Sequence, residues 1–171
     1  MKKEKKISVF LVDDDAIFLK VMETQFKERS SYEVKTFSTG DECLSSLYLK
    51  PDIIFLDYYL NPSNPKANTG LQVLDQIKAV DPNIHVVMLS SQDNVEVAIN
   101  CMKHHAFDYI VKGESSFIRA RKVISVLFYQ NKLKEELGFY KTSSLILTGL
   151  IATIIFVSIT VQIYYPHLMN K

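Results

Sequence analysis

Two cysteines are all that this chain of 171 residues contains. Cys43 and Cys101 are widely separated, in no CxxC or metal-ligand spacing, which argues against a disulfide framework. Both read as small buried hydrophobes of a reducing compartment. A charge excess is missing too. Lys+Arg 20 against Asp+Glu 19 leaves a net charge of +1, so nothing in the balance points to a nucleic-acid partner. There is no internal repeat, no low-complexity tract and no signal peptide. The lysine-rich tip at 1–6 is a solvated tail, and the apolar run at 7–12 is too short for an h-region and meets three aspartates. The longest gap lies near the end, where residues 142–170 hold no Asp, Glu, Lys or Arg.

What is present is a repeated alternation of short apolar runs and helical spacings. The organising stretch is Asp52-Ile53-Ile54-Phe55-Leu56-Asp57, an unbroken apolar run that ends on a carboxylate. Such a run suits a strand buried on both faces, as in a parallel sheet. Residues 7–12, 32–37, 85–89 and 108–111 give four more strands. Between them, Phe18, Met22 and Phe26 repeat at helical spacing, and Leu44, Leu47 and Tyr48 follow a Thr39 capping box that ends at Pro51. Thr69-Gly70-Leu71-Gln72 and Asp93-Asn94-Val95-Glu96 open two more helices, and a long one starts near Ser115. Asn and Pro fill the loop at 61–68. The order is β-α five times over, which implies a parallel α/β sheet with helices on both faces and right-handed crossovers.

Open sheets of this kind place ligands at the carboxyl ends of their strands. Asp13 and Asp14 follow the first strand, Asp57 ends the third, Ser90 follows the fourth and Lys112 the fifth. Converging carboxylates repel unless a cation neutralises them, and hard oxygen ligands suit Mg²⁺. A lysine and a hydroxyl beside them match the oxygens of a phosphoryl group. The residues therefore describe a magnesium-assisted phosphoryl-transfer site with Asp57 as nucleophile. Taken singly, Asp15 is a helix cap, His104 and His105 are exposed helix-end residues, and Tyr109 is a core aromatic.

Over residues 7–128 the chain resembles the receiver domain of two-component response regulators, carried by Asp13, Asp14, Asp57, Ser90 and Lys112 at the expected strand ends. The resemblance implies a flavodoxin-like (βα)5 fold. It also implies that Asp13, Asp14, Asp57 and the backbone carbonyl of Tyr59 hold Mg²⁺. Asp57 is then the phosphoacceptor for a sensor histidine kinase or phosphotransfer protein. Ser90 and Lys112 would contact the phosphoryl group, with Ser90 and Tyr109 as the switch pair. Tyr59, two residues after the acceptor, would shield a long-lived acyl phosphate from water. Three positions depart from the family pattern. Gly113 stands where a proline usually follows the lysine and brings a cis peptide, His105 stands where glycine is common, and the segment from Asp57 to Gly70 is several residues longer.

The uncharged tail is read as a membrane span. Nineteen residues at 145–163 rise about 28 Å as a helix, close to the hydrocarbon thickness. Phe139 and Tyr140 flank one end, Tyr164 and Tyr165 the other. Lys132, Lys134 and Lys141 precede the span and only Lys171 follows it, which keeps the receiver in the cytoplasm at the inner membrane. The division expected is a basic tail at 1–6, a receiver at 7–128, a helical stalk at 129–143, a transmembrane helix at 144–165 and a short tail at 166–171. A stripe of Val126, Tyr129, Leu133, Leu137 and Tyr140, with small residues in the span, offers a homodimer contact. No output enzyme or DNA-binding domain is expected after residue 128. The rival readings are a membrane-anchored interaction module that works without phosphorylation, and a haloacid-dehalogenase-like phosphatase, which wants a DxD motif led by its nucleophile. The position of Asp57 and the five-unit length speak against the phosphatase.

Overall fold

The structure, a computed structural model, describes residues 6–28, 31–60 and 68–164, with side chains at 130–145, 158 and 160–164 outside the description. The elements run β1 (Ile7–Val12), α1 (Ala16–Lys27), β2 (Tyr32–Phe37), α2 (Gly40–Ser45), a 3₁₀ turn (Leu47–Leu49), β3 (Ile53–Asp57), α3 (Gly70–Val80), β4 (His85–Ser90), α4 (Val95–Lys103), β5 (Asp108–Val111) and α5 (Ser116–Tyr164). All strand pairs are parallel, and the sheet order is β2-β1-β3-β4-β5. The chain forms two compact units, Met1–Ile124 and Ser125–Lys171. The division falls within α5, a few residues before the receiver boundary expected at 128.

Strand alternation sends successive side chains to opposite faces of the sheet. Phe10, Val12, Ile54, Leu56, Val86 and Met88 form one core with Cys43, Val73, Leu74, Ile77 and Cys101 from α2, α3 and α4. On the other face Phe26 of α1 packs its ring against Phe55 and, edge-on, against Phe117 of α5. Every residue of β3 is buried, as its uninterrupted apolar run requires. The cap residues are those the sequence marks. Asp15 accepts from the backbone N–H of Ile17 and Phe18, Thr69 completes a capping box with Gln72, and Asn94 caps α4.

Several details differ from the sequence reading. Leu19, Met22 and Phe26 are the buried residues of α1, not Phe18. Tyr48 is 77% exposed, because α2 ends at Ser45 and the following 3₁₀ turn, with three residues per turn, takes Tyr48 off the helical face. Glu42 turns back to the N–H of Ser38, not to that of Thr39. There is no cis peptide among the described residues, and His105 adopts φ 64°, the left-handed region that glycine enters at no steric cost.

Among the described residues no helix is long and apolar enough to cross a membrane, so the span expected at 144–165 lacks support there. The stalk side chains Leu133, Leu137 and Tyr140, the flanking Phe139, Tyr164 and Tyr165, and the lysines 132, 134 and 141 lie outside the described residues or side chains. So do the tip at 1–5, the loop at 61–67 and the end at 165–171. Val126 and Tyr129, the first members of the stripe, are exposed.

Candidate functional site

The sheet register brings the predicted residues together. Val12 pairs with Leu56, so Asp13 and Asp57 are the next residues on neighbouring strands. On the other side Asp57 pairs with Leu89, and Ser90 pairs with Val111, immediately before Lys112. The backbone ties continue past the ladders: Tyr58 N–H donates to the Leu89 carbonyl at 2.8 Å, and Lys112 N–H to the Ser90 carbonyl at 2.7 Å.

The carboxylate oxygens of Asp13, Asp14 and Asp57 lie within 4.8 Å of one another. Asp13 and Asp57 are buried and Asp14 is exposed, so the cluster has one face toward solvent. The Lys112 ammonium reaches both buried acids, with Nζ 2.7 Å from Asp13 Oδ2 and 2.9 Å from Asp57 Oδ1. It also lies 4.9 Å from the centre of the Phe18 ring, which is half-buried beside it. Each of the two carboxylate oxygens has the ammonium as its ion-pair partner and no further hydrogen-bond partner among the described residues. Buried acceptors left in this condition are costly.

Electrostatics follow from that burial. Desolvation dominates at Asp13 and pushes its carboxyl up to about 6, against the lowering effect of Lys112. Asp57 is raised for the same reason, with Lys112 and the backbone N–H of Tyr59 working the other way. At Lys112 burial disfavours the charge, but the contacts with Asp13 and Asp57 outweigh it and its pKa rises. One ammonium is therefore shared between two acids whose charged forms are both under-compensated. An oxygen-seeking divalent cation fits this donor set, because it would supply the missing charge and fill the unsatisfied oxygens.

The remaining predicted residues sit close by. Ser90 is fully buried, and its hydroxyl accepts from the N–H of Gln92 at 3.2 Å. Gln92 also receives both tyrosines: Tyr59 donates to its side-chain oxygen at 2.8 Å and Tyr109 to its carbonyl at 2.6 Å. Sequence reasoning did not single out Gln92, since a glutamine in a loop carries no signal of its own. It also missed the second role of Gly70. A Cβ there would stand 2.0 Å from the Asp57 carbonyl oxygen, so glycine is needed for α3 to begin against the end of β3. The capping box marks the helix start but not this approach.

A five-stranded parallel sheet with acids and a lysine converging at its carboxyl edge defines the class of protein. The family model of the response regulator receiver domain matches residues 9–121, and the chain belongs to that family, as the receiver domain of a two-component response regulator. Chemotaxis protein CheY of Thermotoga maritima is 31% identical over 104 residues, covering 60% of this chain and 82% of the relative. Nitrogen assimilation regulatory protein NtrX of Azorhizobium caulinodans is 33% identical over 103 residues. That match covers 60% of this chain but only 22% of the relative's length. Among solved structures, NtrX from Brucella abortus superposes with a TM-score of 0.67 at 27% identity, covering 78% of this chain and 29% of the other.

Proposed function

We propose that this chain accepts a phosphoryl group on Asp57 from a phosphohistidine of a sensor kinase or phosphotransfer protein. The observation that carries the reading is the Lys112 ammonium held between Asp13 and Asp57, beside buried oxygens with unfilled capacity. A carboxylate oxygen of Asp57 forms the new P–O bond, the donor's P–N bond breaks, and the imidazole leaves with the electron pair and takes a proton from solvent. Lys112 offsets the charge of the arriving oxygens, and the Ser90 hydroxyl, which accepts from Gln92, has its proton to donate to one of them. Asp13, Asp14, Asp57 and the Tyr59 carbonyl are the proposed Mg²⁺ ligands. Bound there, the ion neutralises carboxylate and phosphoryl charge.

Incubation of the full chain with acetyl phosphate and Mg²⁺ should add one phosphoryl mass to the wild type and none to Asp57→Ala. Equal uptake by both would end the assignment. A fold that works without phosphorylation is the competing reading, and it leaves the convergence of all five groups without a purpose.

Attachment to a bilayer through residues 144–165 is the second part of the reading. It is supported by the 29 uncharged residues at 142–170 and by exposed apolar side chains on α5. Ile146, Leu147, Leu150, Ile151, Ile155 and Phe156 are each about half exposed or more, and at 3.6 residues per turn they spread over several sides of the helix. Apolar exposure on several sides of a helix suits hydrocarbon better than a one-sided groove. The receiver would then lie on the cytoplasmic side of the inner membrane and signal through a protein contact. The chain should stay with membranes in carbonate and in high salt, and release by either would remove this part.

A further inference from the structure

The turn between β5 and α5 is held by a buried hydroxyl, and we infer that Ser116 is a positioning residue for Lys112. This rests on the phosphoacceptor reading above. Ser116 is 1% exposed. Its Oγ accepts from the Gly113 N–H at 2.5 Å and donates to the Gly113 carbonyl at 2.6 Å, with the Val111 carbonyl at 3.4 Å on the other side. The residues before and after Lys112 therefore both face this one hydroxyl. Lys112 itself is tied through its own N–H to Ser90.

No steric constraint does this job. A Cβ at Gly113 would meet nothing within 4 Å, and no described glycine has positive φ. Hydrogen bonds hold the turn instead: the Ser116 N–H donates to the Gly113 carbonyl at 3.0 Å, and the Ser116 hydroxyl adds the contacts to both sides of Lys112. Because Nζ stands at the end of a four-carbon stem, a small tilt of the Lys112 Cα, such as loosening of the flanking residues 111 and 113 would allow, moves the ammonium away from both acids. Ser116 keeps it between them.

The full chain tests this in four forms: wild type, Ser116→Ala, Lys112→Ala and the double variant, each followed by phosphoryl uptake from acetyl phosphate with Mg²⁺. Ser116→Ala should slow uptake about tenfold, the scale of coupling inside one network, and should cost nothing further in the Lys112→Ala background. Ser116→Thr, which keeps the hydroxyl, should restore most of the rate. An unchanged rate in Ser116→Ala, or the same loss in both backgrounds, overturns the inference. The ¹⁵N ammonium resonance of Lys112 reads the position without phosphoryl chemistry, and Ser116→Ala should broaden it. Should the wild type take up no phosphoryl group, the phosphoacceptor reading falls. The ammonium signal then decides alone, and an unchanged signal refutes the role of Ser116.

Discussion

Phe55 and Asp57 are two residues apart on the same strand and almost equally buried, at 0% and 3% exposure, yet burial acts on them with opposite sign. For Phe55, leaving water is favourable by roughly 1.5–3 kcal/mol. For Asp57, and for Asp13 beside it, desolvation is the largest influence and opposes the charge. The apolar middle of the sheet supplies stability, and its carboxyl edge spends part of it to keep two acids and a lysine in contact. The two acids are left under-compensated, and that is what the proposed cation and phosphoryl group would relieve.

The strongest way to break the comparison is to damage the middle. Phe55→Ala removes a ring packed against Phe26 and should cost about 3–5 kcal/mol in urea unfolding. A loss under about 1 kcal/mol would mean that the core does not underwrite the edge.

The edge can be sharpened with pH. Asp13 holds its proton up to about pH 6 in the folded chain but only to its ordinary 3.8 when exposed. The folded state therefore binds more protons between those values. Its contribution to stability is full below 3.8 and is lost as pH rises to about 6, a change of about 3 kcal/mol. Without Mg²⁺ that decline should appear in unfolding curves and be smaller in Asp13→Asn, where the raised Asp57 remains. A wild-type profile flat from pH 4 to 6 would show that Asp13 is not the strained acid.

The proposed Mg²⁺ would work against the same cost. Adding it at pH 7 should raise the thermal midpoint of the wild type, and the gain should shrink as pH falls through about 6 because protonated Asp13 competes with the ion. An equal gain in Asp13→Asn would place the ion elsewhere.

The smallest effect lies away from both regions. His105 at φ 64° occupies backbone space that costs a side chain but not glycine. His105→Gly should stabilise the chain by about 0.5–1 kcal/mol, part of the relief being offset by the greater freedom of the unfolded glycine. Destabilisation would show that the imidazole makes a contact worth more than the strain.

The sequence alone determined four functional strand ends, because an apolar run that stops on Asp, Ser or Lys is a local pattern. Parallel pairing then leaves little freedom in where those ends meet. Asp15, Thr69 and Asn94 were legible as caps for the same reason: their partners lie two or three residues away. Only the tertiary structure decided that Phe18 stands beside Lys112 and that Gly70 is pressed against the Asp57 carbonyl. It alone brings Tyr59 and Tyr109 to the same Gln92. The difference is physical. Periodicity and capping are set by neighbours along the chain, whereas a close approach or a bridging hydrogen bond depends on which elements pack together and at what distance.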